Sequence, residues 1–158
     1  MRTEMRPKQL ALILAILACT YVAPAIGQTV LIYPAEAQKQ DAAIPNDDLG
    51  GFTLSPKLVQ VQPKPTTPVT SPFHLVVRFE AQGDATIEIK KVNLVYEKIG
   101  QLDITDRVRP ALKADGIDLE GVILPAGRHV IRVDLVDTVG KHGTGYLDIL
   151  VINPSLKL

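Results

Sequence analysis

Three histidines, His74, His129 and His142, are the side chains in this chain best suited to hold a metal ion or move a proton. Zinc requires three or four ligands converging at about 2 Å. In the strand order derived below, His74 and His129 fall in opposite sheets, so the sequence predicts no metal site and reads the histidines as polar residues at strand ends and in a turn. Asp115-Gly116-Ile117-Asp118 and Asn46-Asp47-Asp48 offer oxygen ligands of the kind calcium takes, but neither has a complete calcium-loop spacing. The first reads as a turn and the second as solvated linker. No GxSxG, HExxH, glycine-rich phosphate loop or adjacent nucleophile and base is present. The single cysteine, Cys19, lies in the apolar N-terminal segment, so residues 56–153 can form no disulfide, thiolate metal site or cysteine nucleophile. The expectation is a non-catalytic protein with no cofactor.

Charge narrows the partners. Basic and acidic residues number 17 each over the chain, and 12 each within residues 56–153. No basic field is available to collect phosphates, which disfavours nucleic acid. No polybasic run suggests attachment to an anionic membrane.

The N-terminus reads as an export signal. Arg2, Arg6 and Lys8 precede an apolar run that starts at Leu10, and small-residue exits follow. Two exits compete: Ala25-Ile26-Gly27 before Gln28, and Ala35-Glu36-Ala37 before Gln38. A lipoprotein acylated at Cys19 is a rival, because Ile16-Leu17-Ala18-Cys19 loosely resembles a lipobox. An uncleaved anchor is another, because Leu10 to Tyr33 is long enough to span a bilayer, which takes about 20 apolar residues. A membrane contact is expected only through this segment, if it is retained or Cys19 is acylated.

The elements after the leader are short and strand-like. Residues 38–55 are polar, carry Pro and Gly and lack a sustained period, which predicts a flexible linker. Lys57–Gln62 is a candidate first strand, and the four prolines of residues 63–72 predict a kinked edge or loop. Phe73–Glu80 alternates, with Phe73, Leu75, Val77 and Phe79 on one face. The phase set by Ile87 and Ile89 differs from that of Val92, Leu94 and Tyr96, so a bulge or turn is expected at Lys90-Lys91. Thr105–Arg109 predicts one helical turn capped by Thr105 and ended by Pro110. Ile117 and Leu119 open another strand.

The last stretch, residues 124–152, is the most regular. Leu124-Pro125-Ala126-Gly127 and Asp137-Thr138-Val139-Gly140 carry turn chemistry, and strands of period two follow each. This predicts a hairpin with Ile131, Val133 and Leu135 on the core face with Leu147, Ile149 and Val151. Avoidance of facing like charges places Arg132 opposite Asp148, Ile131 opposite Ile149 and Val133 opposite Leu147.

About seven short strands in residues 56–153, separated by turn signals and without long helices, predict an all-β, antiparallel two-sheet sandwich with one short helical turn near 105–110. Ser71-Pro72-Phe73 opening a strand, Leu124 to His129 and Asp137 to Gly143 together resemble bacterial immunoglobulin-like domains over about residues 56–153. The resemblance implies an immunoglobulin-like topology in an exported adhesion, spacer or assembly module. The chain departs from antibody-type domains: it has no Trp, no cysteine pair joining the sheets and no Tyr placed for a tyrosine corner. The domain plan is a signal peptide at 1–27 or 1–37, a linker at 38–55, the sandwich at 56–153 and a tail at 154–158. Val95, Val130, Val136, Tyr146 and Leu150 are expected to point outward from the last sheet as an interaction face. The function expected is a periplasmic or extracellular binding or assembly module of the cell envelope, with an envelope protein or polysaccharide as partner. The alternatives are a soluble periplasmic carrier of a small ligand or metal, and a non-catalytic subunit of an envelope enzyme complex.

Overall fold

Period-two alternation builds most of the chain. The computed structural model describes residues 27–43 and 56–153. In chain order the strands are β1 (Thr29–Val30), β2 (Lys57–Gln62), β3 (Phe73–Glu80), β4 (Asn93–Tyr96), β5 (Leu102–Asp103), β6 (Leu112–Lys113), β7 (Gly116–Ile123), β8 (Gly127–Val136) and β9 (His142–Val151). Two single-turn helices, α1 (Pro34–Ala37) and α2 (Thr105–Val108), interrupt them. One sheet runs β1-β7-β3-β2, with β6 also on β7, and the other runs β5-β4-β8-β9. Pairings between these strands are antiparallel except β1 with β7. The protein is an all-β sandwich, and β2 and β3 coincide with the strands expected at 57–62 and 73–80. The predicted tail, residues 44–55 of the predicted linker, and the predicted leader up to residue 26 lie outside the described residues. Among the described residues no helix is long and apolar enough to cross a membrane.

The core comes from the alternating faces. Leu75, Val77 and Phe79 of β3 join Leu94 and Tyr96 of β4, Ile131, Val133 and Leu135 of β8, and Leu147 and Ile149 of β9 in one buried cluster. Each such side chain contributes roughly 1.5–3 kcal/mol relative to exposure. The phase change at Lys90-Lys91 is resolved by a 3-10 turn over Ile89–Lys91, which lets both Ile87 and Val92 stay buried.

Capping near α2 differs from expectation. Asp103 Oδ1 accepts the Thr105 N–H at 2.8 Å, so Asp103 serves the helix start. The Thr105 hydroxyl is engaged elsewhere, donating to Asn93 Oδ1 at 2.8 Å and accepting the Leu94 N–H at 2.9 Å. Its bonds fix α2 to β4, and it makes no cap hydrogen bond.

The hairpin register also corrects the expectation. Ile131 faces Leu147, Val133 faces Gly145, and Arg132 lies opposite Tyr146 rather than Asp148. The turn decides this. Asp137 Oδ1 accepts the N–H groups of Val139 and Lys141 at 3.0 and 2.8 Å. The Asp137 N–H donates to Lys141 O at 3.0 Å, and the Gly140 N–H to Asp137 O at 2.9 Å. The reversal therefore closes within residues 137–141, and Val136 pairs with His142. Four bonds of about 1 kcal/mol each outweigh a cross-strand charge pair worth about 0.2–1 kcal/mol. A slip of two keeps every side chain on its face. Asp148 instead pairs with Arg128 through two hydrogen bonds of 2.9 and 2.8 Å.

The edges of β7 and β9 and the continuation of β4 are covered by the chain itself. On one side, the segment 28–42 crosses from sheet to sheet. β1 lies along Val122 and Ile123 of β7, and the Leu31 N–H donates to Ile123 O at 3.0 Å. Leu31 and Ile32 are fully buried. After α1, the Ile99 N–H donates to Gln40 O at 2.8 Å and the Ala42 N–H to Glu97 O at 3.2 Å, on the continuation of β4. The predicted linker thus begins with docked chain at 38–43, because these backbone groups complete a sheet edge. On the other side, Val69 exchanges backbone bonds with Leu150 and Ile152 at 2.9 and 2.8 Å. Nearby, β2 comes so close to β9 that a Cβ at Gly145 would sit 2.6 Å from Leu58 Cβ.

Candidate functional site

The outer face of the β5-β4-β8-β9 sheet is the surface on which the sequence places an interaction site. Its centre is polar. Arg132 lies across from Val95 on one side and Tyr146 on the other. Its guanidinium reaches Glu97 Oε1 at 3.0 Å and Asp134 Oδ2 at 3.3 Å. The Glu97 side chain is only 5% exposed, and its Oε1 makes no aligned hydrogen bond, so the contact with Arg132 is charge against charge. Asp134 also accepts the Thr144 hydroxyl at 3.0 Å.

The five residues expected to form an outward apolar cluster divide. Val95 and Val136 are buried, which corrects their placement on an open face. Val130, Tyr146 and Leu150 are half-buried. The face that remains is mixed: three partly covered apolar side chains among Arg128, Arg132, Asp134 and Asp148.

A second polar group lies inside the sandwich. His129 is buried in β8, with the Tyr96 hydroxyl 2.9 Å from Nδ1 and Pro125 O 2.8 Å from Nε2. A carbonyl can only accept, so Nε2 carries the proton and Nδ1 accepts from Tyr96. Burial lowers the His129 pKa and raises that of Tyr96. Lys98 Nζ lies 5.4 Å from the Tyr96 ring centroid and bonds to Asp41 of the N-terminal segment. Burial opposes the Lys98 charge, but Asp41 and Tyr96 outweigh it and the pKa is raised. His129 is therefore a core residue and not the polar strand end expected from the sequence. Its phase matches Ile131, and that signal was sufficient to place it inward.

His74 stands on the outer face of the other sheet. Its Nε2 lies 2.6 Å from Asp118 Oδ1 and its Nδ1 3.3 Å from Glu120 Oε1. The hydrogen bond to His74 holds the Asp118 carboxyl below its usual range. Beside it is a shallow groove of about 330 Å³ lined by Gln28, Pro72, Phe73, His74, Glu120 and Gly121. His142 begins β9 and is exposed. His74 thus lies in one sheet and His129 and His142 in the other. Asp115-Gly116 forms the turn into β7, with Asp115 O accepting the Phe79 N–H at 2.9 Å. Among the described residues, no group of three or more His, Cys, Asp or Glu is placed to hold a metal ion. Asn46-Asp47-Asp48 lies outside them.

No family model, curated protein or solved structure matches this chain.

On the β8–β9 face charged and partly buried apolar side chains alternate: Arg128 lies opposite Leu150, Val130 opposite Asp148 and Arg132 opposite Tyr146. The paired histidine on the opposite sheet offers hydrogen bonds and negative charge, with no nucleophile beside it in the contacts that surround it.

Proposed function

We propose that the chain is an exported, non-catalytic binding or assembly module of the cell envelope, built on an immunoglobulin-like sandwich. The strand order supports the immunoglobulin-like part. With β2 taken as the first strand, β2-β3-β7-β6 against β4-β8-β9 follows the A-B-E-D against C-F-G arrangement, and β5 adds a strand beside β4. The basic start, apolar run and small-residue exit of residues 1–27 support export.

The observation that carries the binding role is that the chain itself covers the edges of β7 and β9 and the continuation of β4. Segment 28–42 covers β7 and the continuation of β4, while Val69 and Gln60 cover β9. Strand addition is the commonest way an open sheet edge takes a partner. With those edges occupied, a partner at β8 and β9 meets side chains on a face. The β8–β9 face, with Val130, Tyr146 and Leu150 set among charges, suits an envelope protein.

The test is capture from an envelope fraction with the purified domain as bait. The Tyr146→Ser/Leu150→Ser pair is expected to reduce capture at least tenfold while thermal unfolding stays cooperative. Undiminished capture by the double variant, or retention of a polysaccharide in place of a protein, would overturn this assignment.

A further inference from the structure

We infer that the leader is removed by hydrolysis of the Gly27–Gln28 peptide bond, and that Gln28–Ala43 is a structural part of the mature domain. This rests on the export reading and chooses between its two exits. In the cleavage, water adds across the bond: Gly27 leaves with a carboxylate, and Gln28 keeps the α-amine. A leader peptidase of the export machinery is the catalyst.

The second exit, after Ala37, is incompatible with the fold. It would remove the ten residues Gln28–Ala37. Those include β1, which covers Val122 and Ile123 at the edge of β7, and Leu31 and Ile32, which are wholly buried. They also include Glu36, whose two carboxylate oxygens each accept an Arg107 guanidinium N–H at 2.7 Å. Arg107 would lose Leu31 O as well, a bond of 2.8 Å. Cleavage there opens the core, bares a sheet edge and strands a partly buried cation in one step. The small-x-small signature at Ala35-Glu36-Ala37 has a structural origin: Pro34 opens α1, Glu36 turns back to accept the Tyr33 N–H at 2.8 Å, and Ala37 packs on the core.

The first exit costs the fold nothing. Gly27 and Gln28 are exposed, and no atom lies within 4 Å of a Cβ built at Gly27. The new α-ammonium would emerge in the groove that Gln28 shares with His74 and Glu120, where negative charge favours it. The position also divides the apolar run from Leu10 to Tyr33. Its last apolar residues before Tyr33, Leu31 and Ile32, belong to the sandwich core, so the run need not be a membrane span to explain its length.

The full chain is expressed in an exporting bacterial host, and the released protein is read by intact mass and N-terminal sequencing. Either exit leaves an N-terminal glutamine, so the mass and the residues that follow discriminate: Gln28-Thr29-Val30 or Gln38-Lys39-Gln40. A chain beginning at Gln28 is the expected result. A chain beginning at Gln38 overturns the inference and leaves export standing. A full-length chain, or one acylated at Cys19, overturns it together with the leader-peptidase reading. Two substitutions at exposed positions give an independent arm: Gly27→Leu is expected to abolish release of the processed form, and Ala35→Leu to leave it unchanged. The reverse pattern also overturns the inference.

Discussion

The Gln60 side chain meets Asp148 as a neighbouring strand would. Its Nε2 donates to Asp148 O at 3.1 Å, and its Oε1 accepts the Asp148 N–H at 2.9 Å. One carboxamide thereby satisfies both backbone groups of a residue on the outer edge of β9. Nε2 also donates to Pro63 O at 2.6 Å, which ties the end of β2 to the same point. An uncovered strand edge is a template for pairing with another chain.

Replacing Gln60 should therefore both destabilise and promote self-association. Gln60→Leu keeps the bulk but leaves the Asp148 backbone pair without partners, at a cost of about 1–3 kcal/mol. Denaturant midpoints should fall with an unchanged slope, and light scattering should show concentration-dependent association. A variant as stable as the parent and no more associated would show that water replaces the carboxamide at no cost.

The docking of the N-terminal segment should show as a core effect. Leu31→Ala removes a fully buried side chain and is expected to cost about 2–5 kcal/mol. Val139→Ala, at an exposed position in the hairpin turn, should change stability by less than about 0.5 kcal/mol. Equal effects of the two substitutions in equilibrium unfolding would mean that Leu31 does not belong to the core.

The Arg107–Glu36 pair predicts an acid limb to stability. The hydrogen bond from Arg107 holds the Glu36 carboxyl below the ordinary glutamate value, so the folded state binds a proton less readily than the unfolded chain does. That stabilisation is complete above the unfolded value of about 4.3 and is lost as pH falls through the lower, folded value. Unfolding midpoints followed from pH 6 down to pH 3 should decline, and Glu36→Gln should flatten part of that decline while lowering stability at pH 6. An identical pH profile in the variant would remove Glu36 from the linkage.

Buried His129 should act in a higher window. Burial lowers its pKa, so the folded state keeps the neutral ring that accepts from Tyr96. Its contribution is present above the unfolded value of about 6.5 and is lost as pH falls below it. Stability is expected to drop between pH 7 and pH 5, and His129→Phe to remove that drop while lowering stability at pH 7 through the loss of two hydrogen bonds. Proton NMR of the imidazole would check the same point, since a ring titrating near 6.5 in the folded protein contradicts it.

What the sequence determined by itself is the set of inward and outward faces. Alternation depends only on the pleat, so β2, β3 and the core phases of β8 and β9 were legible from residue order. So was the turn at Lys90-Lys91, because a phase change demands one. The same rule placed Tyr96 inward with Val92 and Leu94, and it already contained the inward placement of His129, which residue type concealed. The remainder required the tertiary structure. The register of β8 on β9 follows from Asp137 closing its turn in five residues, a balance of hydrogen bonds that the spacing of charges does not reveal. Val95 and Val136 are buried although their phase points outward, because exposure depends on what neighbouring strands lay over a face. The place of Leu31 and Ile32 was hidden for a similar reason: an apolar run read as part of a leader looks the same whether it feeds a membrane or a core. Only the edge of β7 and the Arg107 side chain, far along the chain, decide between them.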